Sequence, residues 1–247
     1  MKGGFLFHLG RYVLLIKSLF VKPERPYMYW KETARMMVDI GVGSVIIILV
    51  ISFFIGAVSA VQFAYNLSDS LVPMYYVGYV VKESMILEFA PTVSCLILAG
   101  KIGSNISSEL GTMRLTEQID AFEIMGVNTS SYLIAPKLVA AVTMIPMLVI
   151  IAALTGIIGG GVAAVGSGYM SKQEYIQGIQ FFFVAKNINV MLVKAVVFAF
   201  LLTSISCYQG YYASGSAIEI GKASTRAVVI SSIMVLLADY LIAWMML

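Results

Sequence analysis

"SSELGTMRLTEQIDAFEIMG", Ser107 to Gly126, gathers Glu109, Arg114, Glu117, Asp120 and Glu123 into one short stretch of a chain that is otherwise mostly apolar. Long hydrophobic runs flank it on both sides, so it reads as a connection between two membrane-spanning helices. The rest of the layout follows by working outward from it. Of the 247 residues, 60% are hydrophobic and only 12% are charged, a balance that excludes an ordinary water-soluble domain. The formal charge of +3 is too small and too dispersed to suggest nucleic acid. Cys95 and Cys207 lie in apolar runs without CxxC spacing, which argues for packing residues rather than a disulfide framework or a metal site.

A spanning helix needs about 20 mostly apolar residues. Five segments qualify, roughly Val38 to Phe63, Met85 to Ser107, Tyr132 to Val165, Ile188 to Tyr211 and Thr225 to Leu247. The third is overlong, so it must tilt, bend at Pro146 or extend beyond the bilayer. Lys2, Arg11, Lys17, Lys22, Arg25, Lys31 and Arg35 precede the first span, whereas the next connection carries only Lys82. This bias places the amino terminus in the cytoplasm and, with five spans, the carboxy terminus outside.

Phe5 to Phe20 is interrupted by Arg11 and Lys17 and lacks a small-x-small cleavage site, so it reads as a retained amphipathic helix on the cytoplasmic surface. His8, Arg11, Ser18 and Lys22 fall on one side of it, and Phe5, Leu9, Tyr12, Ile16 and Leu19 on the other. The fold class is therefore all-α integral membrane, one domain over 1–247, with a cytoplasmic interfacial segment over 1–35 and five transmembrane helices over 36–247. Outside, "LVPMYYVGYVV" (Leu71 to Val81) is too short to span and rich in tyrosine, as expected at an interface. "SKQEYIQGIQFFF" (Ser171 to Phe183) opens with a capping-box pattern, Ser171 with Glu174, and is expected to lie along the membrane. Sets of small residues spaced by four, Gly56 with Ala60, Gly156 with Gly160, and Ala195, Ala199, Thr203 and Cys207, mark close helix approaches. Intramolecular packing and a seam between two copies both fit them.

Inside the island, Leu115, Ile119, Phe122 and Met125 follow helical spacing, while Arg114, Glu117, Gln118 and Asp120 lie largely off that stripe. A short amphipathic helix over about 112–126 is expected, stopping at Gly126. It could be a solvated connector, or a handle through which a partner pushes on the spans.

Ionisable residues within spans each cost on the order of 3 kcal/mol, and three of them share a depth. Glu88 begins the second span, Lys194 lies one to two turns inside the fourth, and Asp239 sits well along the fifth, all at outer-half depth. They could wall an outward-open cavity for an amphiphile, or form a buried ion-pair network that orients helices. Lys101 is expected to snorkel or to pair with Glu109, and Asp39 and Glu32, beside Arg35, to anchor the first span at the headgroups. "SAIEIGKAS", Ser216 to Ser224, falls short of a phosphate-binding P-loop: Ser216 replaces the first glycine, Ala223 follows the lysine, and no strand precedes it. It reads as a loop capping the fifth helix. His8 is the sole histidine, which leaves no material for His-based metal or nucleophile chemistry.

The stretch "LEFAPTVSCLILAGKIGSNISSELGTMRLTEQIDAFEIMGVNTSSYLIAPKLVA", Leu87 to Ala140, resembles the MlaE (YrbE) permease family, membrane subunits of Mla-type ABC lipid transporters. "GSAIEIGKASTRAVVISS", Gly215 to Ser232, is similar to that family's carboxy-terminal signature. The resemblance implies an ABC-exporter-like permease that pairs as a homodimer, docks a cytoplasmic ABC ATPase dimer and holds phospholipid between its copies. It makes Thr112, Arg114, Glu117, Gln118, Asp120, Phe122 and Met125 the ATPase-coupling residues, and Glu88, Lys194 and Asp239 the cavity residues. One departure is Leu87, a position often basic in relatives.

It further implies a non-catalytic chain without a bound cofactor, ATP and Mg residing on the partner ATPase. The implied location is the bacterial inner membrane, with a periplasmic MCE-domain protein as partner and a small cytoplasmic STAS-type subunit as a further candidate. An ion-coupled secondary transporter working without an ATPase is the alternative, although such folds often carry internal repeats and five unequal spans show none. A purely structural scaffold leaves the shared depth of the three charges unexplained.

Overall fold

The computed structural model describes residues 5–19, 26–68 and 72–246. Lys2, Lys22, Arg25 and Leu247, which entered the topology argument, lie outside them. Every regular element among the described residues is helical. In chain order these are α1 (Phe5–Leu19), α2 (Met28–Ser68), α3 (Tyr75–Leu115), α4 (Gln118–Ile124), α5 (Thr129–Gly166), α6 (Lys172–Gln180), α7 (Ala185–Tyr211) and α8 (Ala217–Met246). Helices α2, α3, α5, α7 and α8 are each long and apolar enough to cross a membrane.

The helices outrun the apolar windows that located them. The tyrosine-rich stretch expected to lie flat is the first part of α3, started by a hydrogen bond from Tyr76 N–H to the Pro73 carbonyl. Tyr75, Tyr76 and Tyr79 keep it in register by packing their rings on Phe181. Likewise α8 begins at Ala217, not Thr225, so the failed P-loop segment forms its opening turns; Gly215 at φ +109° makes the corner. Helix α5 runs unbroken through Pro136 and Pro146, with Asn128 accepting from Ser131 N–H at its start. Its 38 residues span about 57 Å against a hydrocarbon core of about 30 Å, so it extends past the apolar layer.

Three π-helical segments interrupt the α-geometry, Val38–Val42 in α2 and Met85–Val93 and Ala99–Gly103 in α3. The widened turns of a π-segment loosen the ladder, a feature concentrated at functional positions. Pro91 lies inside the second of them.

Helix α7 is the best buried of the five long helices and α8 the least. Ala195, Ala199, Thr203 and Cys207 line the buried side of α7 as their spacing suggests. The glycine sets serve packing within the chain: a Cβ on Gly56 would lie 1.9 Å from the carbonyl oxygen of Gly156, so α2 and α5 meet backbone to backbone. Helix α6 carries the full capping box, Ser171 Oγ accepting from Glu174 N–H and Glu174 accepting from Ser171 N–H. Rather than lying free it packs on α3 and α5, where the Tyr175 hydroxyl donates to the Ile157 carbonyl at 2.7 Å.

Helix α1 keeps part of the expected stripe and departs from the rest. Leu15 is buried and Leu19 packs on the core, and the Tyr12 hydroxyl lies 2.7 Å from Ser204 Oγ, while His8, expected on the polar side, also turns inward, its Nδ1 2.8 Å from the Tyr208 hydroxyl. Leu6, Leu9, Val13 and Leu14 face outward, an arrangement suited to a helix lying in a membrane surface.

Candidate functional site

Lys194 of α7 is buried completely, and three helices converge on its ammonium group. Nζ lies 2.9 Å from Glu88 Oε1 and 2.7 Å from Asp239 Oδ1, and donates to the Leu87 carbonyl at 2.9 Å. The Thr92 hydroxyl donates to Asp239 Oδ2 at 3.1 Å. Burial grades across the cluster: the side chain of Lys194 is 0% exposed, Asp239 15% and Glu88 46%. An uncompensated ammonium at such a position would be very costly, and two carboxylates with a carbonyl neutralise it. The carbonyl is available for a local reason. Pro91 has no N–H to give to the residue four before it, Leu87, so that carbonyl lacks its ordinary α-helical donor. The structure thus brings together all three intramembrane charges singled out in the sequence. Glu88 is the most exposed of the three.

The charged stretch departs from the single helix expected over 112–126. Helix α3 continues to Leu115; the chain then turns at Thr116–Glu117, with Glu117 at φ +58°, and α4 begins at Gln118. A side chain with φ in the left-handed region breaks any continuous helix, so the stripe Leu115, Ile119, Phe122, Met125 does not form one face. Only Ile119 is fully buried, while Leu115 and Met125 are exposed. Three contacts brace the corner. Arg114 donates to Asp120 Oδ1 at 2.6 Å across the turn, Ile119 plugs into the core, and Glu123 Oε1 accepts from the Tyr211 hydroxyl at 3.2 Å and the Thr129 hydroxyl at 3.3 Å. Thr112 bonds back to the Ser108 carbonyl, Phe122 packs against Tyr132, and Glu117 and Gln118 stand exposed at the tip.

Three further lysines have partners that the sequence did not indicate. Lys101 does not meet Glu109; it donates to the Gly43 carbonyl and to Ser44 Oγ, tying the second π-segment of α3 to α2. Glu109 pairs instead with Lys137 of α5 at 2.6 Å, and Lys137 is almost wholly buried. The sequence signal for Lys137 was available, since it is an isolated cation at the start of an apolar run, the criterion that found Lys194. Lys82 is also buried and holds the carbonyls of Phe181 and Phe182, where Phe182 adopts φ +41°.

Residues 33–245 match the family model described as "Permease MlaE". The chain belongs to the MlaE permease family. Members of the MlaE family with curated descriptions align over nearly all of it. A probable ABC transporter permease protein of Rickettsia bellii is 33% identical over 234 residues, 95% of this chain and 90% of the relative. One from Rickettsia felis is 35% identical over 218 residues, 88% and 84%. The intermembrane phospholipid transport system permease protein MlaE of Haemophilus influenzae is 30% identical over 245 residues, 96% and 91%. The chain is thus an integral membrane ABC transporter permease of the MlaE family, a class of typically non-catalytic membrane subunits that work with an ATPase.

Proposed function

We propose that two copies of this chain form the membrane part of a transporter that moves phospholipid between a bacterial inner membrane and a periplasmic MCE-domain partner. A separate cytoplasmic ATPase dimer binds ATP and Mg and drives the cycle, and this chain holds no cofactor. A small cytoplasmic STAS-type subunit is a further partner in this reading. The amino terminus faces the cytoplasm and the carboxy terminus the periplasm. The observation that carries it is a fully buried Lys194 shared between enclosed Asp239 and half-open Glu88.

In that arrangement a lipid phosphate competes with the Glu88 carboxylate for Lys194, while Asp239 keeps the ammonium in place. The open side of Glu88 belongs to a cavity that a second copy completes, and the exposed apolar face of α8, including Val229, Ile233, Leu236 and Leu237, is available to acyl chains or to that copy. Force reaches the site along one element. A push on Glu117 and Gln118 acts on the end of α3, and the same helix carries Glu88 27 positions earlier, roughly 40 Å away at 1.5 Å per residue. The π-segments between them are where α3 can readjust. The name of the Haemophilus relative supports phospholipid as the cargo.

Purification of the tagged chain from its native membranes in mild detergent, followed by mass spectrometry of everything retained, tests this. A stoichiometric P-loop ATPase together with phospholipid is the expected result. A homogeneous chain with neither would reject both the coupling role and the cargo.

A further inference from the structure

Lys82 joins α3 to the turn between α6 and α7, at the end of the molecule remote from the Glu117 corner. Its side chain is 3% exposed. Nζ donates to the Phe181 carbonyl at 2.9 Å and to the Phe182 carbonyl at 3.1 Å, with Glu83 Oε1 3.4 Å away and the Tyr79 ring centre at 5.0 Å. Asn187, in the first turn of α7, donates to Glu83 and closes the corner from the other side. The chain passes through φ +41° at Phe182, a conformation that an aromatic residue rarely adopts and that persists only where its surroundings over-determine it. Here a buried ammonium does so. With two successive carbonyls turned inward, the side chains that follow face out: Phe182 is 68% exposed, Phe183 63% and Val184 44%.

We propose that Phe182, Phe183 and Val184 form a wedge set into the bilayer leaflet at this end of the molecule, and that Lys82 is the positioning residue that holds it there. The level of the turn identifies what covers it. The 27 residues of α7 span about 40 Å against a hydrocarbon core of about 30 Å, so its first residue, Ala185, lies only about 5 Å beyond the apolar layer if the helix is centred. A turn joined directly to it sits among the headgroups. Exposed Tyr65, near the end of α2, and Tyr169, just past α5, lie at the same end of the bundle, in the zone where aromatic side chains gather in membrane proteins. Phenylalanine lacks the polar tip that keeps tyrosine at that boundary, so two exposed phenylalanine rings favour its acyl side. Exposed Lys186 beside them can reach back to the phosphates. Without Lys82, two carbonyls at a dry boundary would need water, and the turn would rise toward it. The wedge does not depend on the transport reading.

The test uses the full chain in dioleoylphosphatidylcholine vesicles, with a nitroxide on Phe183→Cys and, as the aqueous reference, on Gln118→Cys at the exposed corner. Cys95 and Cys207 are fully buried and leave the reagent only the new thiol. Spin relaxation is read with oxygen, which concentrates in hydrocarbon, and with a water-soluble nickel chelate. The oxygen-to-nickel ratio is expected to be at least threefold higher at 183 than at 118, and Lys82→Met to bring it back to the reference value. An equal ratio at the two positions would overturn the wedge, as would a label at 183 shielded from both reagents, which would place a protein against the turn. A ratio unmoved by Lys82→Met would remove Lys82 from the proposal. If that variant does not fold, Phe182→Pro decides the point. Its ring forbids φ +41°, so it breaks the same carbonyl contacts from an exposed loop position, and the ratio at 183 must fall.

Discussion

Lys194 donates to the carbonyl oxygen of Leu87, the residue four positions before Pro91. A proline-made gap in α3 is thereby filled by the same ammonium that pairs with Glu88 and Asp239, so one side chain both repairs a helix and holds a site. Lys194→Met should destabilise the protein by about 3–5 kcal/mol, because it strands buried carboxylate charge and an unpaired carbonyl. Adding Glu88→Gln and Asp239→Asn should restore much of that stability without restoring lipid retention. Thermal unfolding in detergent, paired with extraction and quantification of bound phospholipid, separates the two effects. Full lipid retention in the stable triple variant would leave the cluster a purely structural role.

At the coupling corner, Glu117→Gly removes the carboxylate while favouring the left-handed backbone. ATPase binding lost in that variant is therefore attributable to the charge, not to a disturbed turn. Glu117→Ala combined with Asp120→Ala should weaken docking at least tenfold and abolish transport, leaving helical content unchanged by circular dichroism. Pull-down of the ATPase with each variant is the measurement, and unimpaired docking in the double variant would rule out this corner as the handle.

Gly56→Ala should be more damaging than Gly156→Ala. At Gly56 the new methyl meets the Gly156 backbone at 1.9 Å, which cannot yield, whereas at Gly156 its nearest neighbour is the flexible end of Met85. Overpacking of the first kind costs about 1–3 kcal/mol. The order of the two melting temperatures checks it, and Gly156→Ala melting lower would refute the asymmetry.

Hydrogen bonds from Ser171 hold the Glu174 carboxyl below its usual range. A carboxyl with a depressed folded-state pKa contributes stability that is full above its unfolded value, about 4.3, and is lost as pH falls through the folded one. Amide exchange within Lys172–Gln180 should therefore accelerate as pH drops below about 4.3, beyond the intrinsic chemical trend. Glu174→Gln should remove that extra dependence, and an identical profile in the variant would dissociate the carboxylate from the cap.

The five spans were legible because hydropathy over some twenty residues is a property of the local sequence. So was the shared depth of Glu88, Lys194 and Asp239, since depth follows from counting along each helix. What the pattern does not encode is azimuth, and azimuth decides partners. Lys101 and Glu109 look like a pair in one dimension, yet Lys101 turns to α2 and Glu109 to α5. The break at Glu117 was hidden for a different reason: its left-handed conformation is imposed by the Arg114–Asp120 clasp and the burial of Ile119, not by a glycine in the sequence. Helix ends were missed wherever aromatic or polar turns continue a span beyond its apolar window, as at Tyr75 and Ala217.

The glycine contact between α2 and α5 divides the labour of the molecule. Where backbone rests on backbone there is no side chain to shear or change rotamer, and Gly159 repeats the arrangement against the Phe53 carbonyl. In the proposed cycle this pair is the stator. A stroke delivered at the Glu117 corner would then be spent in α3, with its two π-segments, and in the α7 and α8 partners that share Lys194. On that reading the working parts of the machine are the three helices that meet at one ammonium group.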